Sequence, residues 1–251
     1  MSNRQLTARS VLASTLLGSD PPELPVAHLV QLSSLFGINE NRARVALSRM
    51  VASGEATTDG AGRYRLSGHL LDRQRRQNAS RAGHTRRWTG RWQVVVVTTT
   101  GSTAEVRNYR RTTLTFARLA ELREGVWLRP DNLDPGNPDT VLPQDLGPDV
   151  TRLSARPDDP EMLVGRLWDT AHWAARARRL ADELSARPPR DWTDLAPGFV
   201  LSASVLRHFQ ADPLLPPELL AADWPGSRLR DLYDGWDARY RRVLAQWTPP
   251  T

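Results

Sequence analysis

Between Phe36 and Glu55 the chain reads FGINENRARVALSRMVASGE. At 100° per residue, Ala43, Ala46, Leu47, Met50 and Val51 fall on one face of a helix. Asn41, Arg42, Val45, Ser48 and Arg49 fall on the other, with Arg44 on its flank. The first face can pack. The chemistry open to the second is recognition of a DNA groove. Arginine can grip O6 and N7 of guanine with two hydrogen bonds, and asparagine can do the same for N6 and N7 of adenine. Serine can serve a base or a phosphate, and Val45 can touch a thymine methyl. The plainer reading is a solvated polar face, which describes most exposed arginines.

What precedes and follows this stretch bears on the choice. A helix is expected from about Ala8, capped by Thr7, with Leu6 and Val11 at the spacing of a hydrophobic staple. Leu12, Ala13, Leu16 and Leu17 are its buried stripe, and Gly18 ends it. GSDPPE is a turn. A second helix is expected from Pro25 with the stripe Val26, Leu29, Val30, Ser33 and Phe36, stopped by Gly37. Asn39 caps the third, Glu40 suits its positive end, and Gly54 terminates it. EATTDGAGRYRLSG then reads as a hairpin turning on Asp59-Gly60-Ala61-Gly62, with Arg63 and Arg65 on its second strand. Three helices, a tight turn before the third and a basic hairpin give the order of a winged helix-turn-helix. Arg63, Arg65 and, beyond the wing, Arg73, Arg75 and Arg76 suit phosphate or minor-groove contacts.

Charge agrees with that order. All 34 basic residues are arginine, and the net charge is +6. Residues 1–92 hold 14 arginines against 6 acidic residues, whereas 93–251 hold 20 against 22. The basic excess sits in the first third, which suggests a polyanionic partner, nucleic acid before membrane. Cysteine is absent, so thiol catalysis, disulfides and thiolate metal sites are excluded, as suits a reducing compartment. The longest apolar run, Val94–Val97, cannot span a membrane, and no signal-peptide pattern opens the sequence. A cytoplasmic location is the expectation.

After the hairpin, HLLDRQRRQNASRAGHTRRW reads as a basic helix fraying into a linker. A buried strand is expected over Trp92–Thr99 and a helix over about Ala104–Arg123, with Tyr109, Phe116, Leu119 and Ala120 on one face. VWLRP is a second strand and DVTRLSARP a further one, on either side of a proline-rich loop. The alternation suggests a small α/β unit. The last third is helical. Asp159-Pro160-Glu161 caps one helix or a pair running toward Arg187, another runs over Phe199–Gln210, and a last one over Arg228–Trp247.

Several of these segments resemble one family. LTARSVLASTLLG, LPVAHLVQLSSLFGINENRARVALSRMVASGE and GRYRLSGHLLDRQRRQ look like the N-terminal domain of the phenylacetic-acid-degradation repressor, or PaaX, family. WTGRWQVVVV and LAELREGVWLRPDNL look like its middle domain, and HFQADPLLPPELLAADWPG with LYDGWDARYRRVL like its C-terminal domain. The resemblance implies a dimeric transcriptional regulator, usually a repressor, released from a palindromic operator by an acyl-CoA such as phenylacetyl-CoA. It also implies a middle domain similar to the ferredoxin-like fold of small CRISPR adaptation endonucleases. By position it puts Asn41, Arg42, Arg44, Ser48 and Arg49 in the recognition helix.

The expectation is therefore an α+β multidomain protein: a winged helix-turn-helix over 1–78, a ferredoxin-like middle domain with its basic linker over 79–165, and a helical C-terminal domain over 166–251. The candidate DNA-binding residues are Asn41, Arg42, Arg44, Val45, Ser48, Arg49, Arg63, Arg65 and Arg73. The partners expected are double-stranded operator DNA, a second copy of the chain and an acyl-CoA effector. No cofactor, metal or catalytic residue is assigned. The rival reading is a metal-dependent nuclease acting through the middle domain. Against it, the first middle strand runs into Thr98-Thr99-Thr100-Gly101, where many relatives and the endonucleases carry an acidic residue. The five histidines show no i, i+4 pair, and no phosphate-binding glycine loop occurs. Of the nine tryptophans, those crowding the C-terminal part are packing or, more sharply, walls of an effector pocket with Arg176, Arg178 and Arg179 near the CoA phosphates.

Overall fold

The structure is a computed structural model, and it describes residues 7–99, 101–140, 146 and 149–247. The proposed staple partner Leu6, and Thr100 in the threonine run, lie outside those residues. The described chain mixes helices with two antiparallel sheets, an α+β organisation. It falls into two compact units. The first takes the chain up to Asn78, Glu183–Arg207 and the chain from Leu232. The second takes Ala79–Asp182 and His208–Asp231.

The first unit begins with α1 (Ala8–Leu17), whose Thr7 cap accepts from the amide of Ser10. A short strand β1 (Glu23–Pro25) precedes α2 (Val26–Ser34), and α3 (Glu40–Ala52) follows. Then come β2 (Ala56–Thr58), β3 (Arg63–Leu66) and α4 (Gly68–Ala82). The strand β1 corrects the sequence reading. Pro25 is not the first helical residue but the N-cap of α2, in extended conformation, and it closes the strand. β1 pairs with β3, and β3 with β2, so the sheet order is β1-β3-β2. Leu12, Leu16, Leu29, Leu47 and Met50 are fully buried together and form the core of this head. Each such side chain contributes roughly 1.5–3 kcal/mol on burial.

Two glycines fix the turns around α3. Gly37 has φ +68, and Gly54, just past the helix, has φ +72, where a side chain would strain the backbone. α2 ends at Ser34, so Phe36 lies in the turn rather than on the helix. Its ring meets Phe199 edge-on at 4.9 Å. Phe199 belongs to α8 (Leu195–Gln210), which follows α6 (Pro160–Leu167) and α7 (Thr170–Ala186) and precedes α9 (Gly226–Gln246). Within this unit Tyr240 donates to the Leu195 carbonyl, and Trp236 stacks on Tyr240 at 5.3 Å. Gly198 lets those rings close on α8, since a Cβ there would lie 2.8 Å from the Tyr240 ring.

The second unit carries β4 (Trp92–Val97), α5 (Ala104–Phe116), β5 (Ala120–Arg123), β6 (Val126–Pro130) and β7 (Val150–Ala155). The sheet order is β5-β6-β4-β7, antiparallel throughout, with α5 between β4 and β5. β4 stops at Val97, short of the expected Thr99. α5 stops at Phe116 because Arg118 turns the chain with φ +58, and residues expected to continue the helix form β5. Arg110 and Leu114 are the buried residues of α5, while Tyr109 and Phe116 are 47% and 55% exposed.

Arg118 is buried and ion-paired with Asp139 at 2.6 Å, and it also donates to Ser80 Oγ and to the Asp212 carbonyl. Arg129 is buried too, donating to the Pro130 carbonyl and to Asn132 Oδ1. Burial lowers its pKa to about 9, with the charge of Arg118 pushing the same way.

Candidate nucleic-acid interface

The buried stripe of α3 fixes which side of it meets solvent. Ala43, Leu47 and Met50 are all 0% exposed, and Ala46 and Val51 are partly covered. Asn39 Oδ1 accepts from the amide of Arg42, which anchors the first turn. The opposite face carries Asn41, Arg42, Arg44, Val45, Ser48 and Arg49, all exposed, with Val45 at 42%. The six residues singled out by spacing thus share one solvent face of one helix.

Their side chains differ in what holds them. Arg44 donates to Glu40 Oε1 at 2.7 Å, one turn back on the same helix. Both partners are exposed, so the pair is weak, about 0.3–0.5 kcal/mol. Ser48 Oγ donates to the Arg44 carbonyl at 3.1 Å. Arg42 and Arg49 have no acidic partner among the described residues. Of the face's three guanidiniums, these two are therefore uncompensated.

The wing is more constrained than the sequence suggested. Glu23, on β1, accepts from Arg63 Nε at 2.5 Å and from Arg65 Nε at 2.7 Å. The hydrogen bonds from Arg63 and then Arg65 hold the Glu23 carboxyl below its ordinary range. One carboxylate therefore lies between two wing arginines and halves their net charge. Asp59 Oδ1 accepts from the amides of Ala61 and Arg63 and fixes the tip of the hairpin. Arg73 stands exposed on α4, a different helix from the α3 face, with no side-chain hydrogen bond or ion pair among the described residues. Arg75 pairs with Asp72 at 3.3 Å.

Two residues of this region escaped the sequence reading. Arg9, in the first turn of α1, donates through Nε to Glu55 Oε2 at 2.8 Å, with a second contact from Nη2. Glu55 follows α3 and its side chain is only 9% exposed. The pair spans 46 residues, and no local pattern encodes it. It sets the start of α1 beside α3. There Thr7, Ala8 and Arg9 face Asn41, Arg42, Val45, Ala46 and Arg49 across a hollow of about 360 Å³. Its exposed lining is almost entirely carbon.

Among the C-terminal tryptophans, Trp173 is packed, whereas Trp192 is 59% exposed. Trp173 is buried, stacked on His208 at 4.3 Å on one side and on Trp224 at 4.7 Å on the other. Neither ring face is left for a ligand. Arg178 is held by Asp223 at 2.6 Å. Burial lowers the His208 pKa to about 4, which keeps the ring neutral near pH 7. Among the described residues no three His, Asp or Glu side chains converge as a metal site. Thr98 and Thr99 follow β4, and Glu105 lies exposed in the first turn of α5. No helix among the described residues is long and apolar enough to cross a membrane.

A basic helix face held rigid by a small apolar core is the kind of surface that nucleic-acid regulators present. Comparison with known proteins gives the family. Residues 7–70 match the PaaX-like protein family, 85–163 the PaaX protein central Cas2-like domain, and 168–248 the PaaX-like protein C-terminal domain. The chain belongs to the PaaX-like family, and membership points to a regulator of transcription. Among solved structures it is similar to the uncharacterized protein Rv0674 from Mycobacterium tuberculosis. The two share 42% identity over 96% of this chain and 98% of that one, with a TM-score of 0.74. No curated protein matches it.

Proposed function

We propose that the protein is a dimeric transcriptional repressor that lays α3 in the major groove of operator DNA. The observation that carries the reading is the exposed α3 face, on which Arg42 and Arg49 have no acidic partner among the described residues. The order α1-β1-α2-α3-β2-β3, with β1 beside β3, supports a winged helix-turn-helix head. The strand order β5-β6-β4-β7 supports a ferredoxin-like middle domain. Asn41, Arg42, Val45, Ser48 and Arg49 contact bases. Arg44, Arg63, Arg65 and Arg73 contact phosphates. Two copies read half-sites separated by about one helical turn, roughly 10 bp, or a multiple of it.

Repression, and release by an acyl-CoA such as phenylacetyl-CoA, rest on the family resemblance. The decisive experiment is selection from a random duplex library with the full chain, followed by titration of the selected duplex at several salt concentrations. A selected inverted repeat whose affinity falls in the Arg49→Ala variant supports the reading. Equal affinity for selected and random duplexes overturns it. Thermal shift against a panel of acyl-CoAs tests the effector, since a ligand bound at 100 times its Kd stabilises by about 2.7 kcal/mol.

A further inference from the structure

The hollow between the start of α1 and the α3 face is lined mainly by carbon, yet it opens in the middle of a basic surface. We propose that it receives the 5-methyl edge of a pyrimidine, so that the protein reads a thymine beside a guanine and distinguishes 5-methylcytosine from cytosine at that position. The inference rests on the DNA-reading role proposed above and names what one part of that face reads.

Two observations lead there. The floor is apolar and reachable: Val45 is 42% exposed, and Ala46 and Ala8 complete it. Water in such a hollow finds few hydrogen-bonding partners, so covering it with carbon is favourable. Arginine stems stand at its walls and carry their charge to its border. Arg42 and Arg49 stand on either side of Val45 along α3, one turn away in each direction, without carboxylates to neutralise them. An uncharged apolar ligand would gain nothing from those walls, whereas a polyanion gains at every approach.

In the major groove the thymine methyl is the apolar group on the base edges, and guanine is the base that arginine grips with two bonds. A methyl-bearing pyrimidine next to guanine fits floor and wall together. An extruded base does not fit, because extruded bases are held by stacking on flat side chains and no aromatic residue lines the hollow.

The test uses the full chain and the duplex it selects. Each thymine is replaced singly by deoxyuridine, which removes only the methyl. At one position per half-site the Kd is expected to rise about fourfold, the worth of one buried methyl group. Cytosine placed there is expected to bind less tightly than 5-methylcytosine by a similar factor. In Val45→Ser both differences should vanish, with circular dichroism and thermal melting reporting that the head still folds. If no thymine responds in a duplex that is still bound selectively, the inference falls and the DNA-reading role stands. If the methyl effect persists in Val45→Ser, the methyl is read elsewhere and the inference is likewise overturned. If no duplex is preferred over random sequence, both fail together.

Discussion

Arg9 and Glu55 close the head of this protein on itself: a guanidinium from the first turn of α1 donates to a carboxylate that follows α3, at 2.8 Å through Nε. The acid is buried and the base half exposed, so the anchor sits on the α3 side and α1 is drawn to it. The Arg9 hydrogen bond, aided by its charge and that of His69, holds the Glu55 carboxyl below its ordinary range. The folded head therefore binds that proton less tightly than the unfolded chain does. The pair stabilises fully above the unfolded glutamate value, about 4.3, and its contribution fades as pH falls toward the lowered folded value. Glu55→Gln should lower stability at pH 7 by about 1–2 kcal/mol and flatten the acid limb of a melting-temperature profile. An acid limb identical to that of the parent protein would contradict the pairing.

Arg42 and Arg49 should matter one base at a time. Replacing either with alanine is expected to cost about 1–3 kcal/mol at the selected duplex and to relax preference at one base pair per half-site. Titration against duplexes altered singly at each position checks this. A loss spread evenly over all sequences would make these arginines phosphate contacts instead.

Glu23 sits between Arg63 and Arg65, and removing its charge should strengthen binding rather than weaken it. In Glu23→Gln the wing gains one net positive charge. Affinity for random duplex should rise, and the slope of log K against log salt should steepen by about one unit. Titration of random duplex between low and moderate salt measures both. An unchanged slope would show that the wing lies off the phosphates.

The buried pair of Arg118 and Asp139 should be costly to break. Both side chains are at most 5% exposed, so Asp139→Ala strands a guanidinium and should destabilise by about 3–5 kcal/mol. Urea unfolding followed by tryptophan fluorescence reads this directly. A loss below about 1 kcal/mol would show that the Ser80 and Asp212 contacts suffice for Arg118.

The parts legible in the sequence were those written in local chemistry. Thr7, Asn39 and Asp159 are caps that the structure uses as such, each accepting an amide hydrogen bond. The periodic stripe of α3 assigned its two faces residue by residue. β1 escaped because three residues show no alternation, and Pro25 is as good a helix opener as a strand end. β5 escaped because Arg118 turns the chain in the left-handed region without a glycine to mark it. Within the candidate site, the exposed face was visible from spacing alone. The Glu23 clamp and the Arg9 anchor were not, since they join residues 40 or more positions apart and depend on how the head folds.

One small contact on α3 narrows its vocabulary. Ser48 spends its only hydroxyl proton on the Arg44 carbonyl. What remains outward is a pair of lone pairs, and lone pairs can greet only a donor. On the floor of the major groove the donors are the exocyclic amines of adenine and cytosine. While that bond is kept, phosphate oxygens, guanine O6 and thymine O4 offer it nothing, and the base edge it can take is an amino-bearing one.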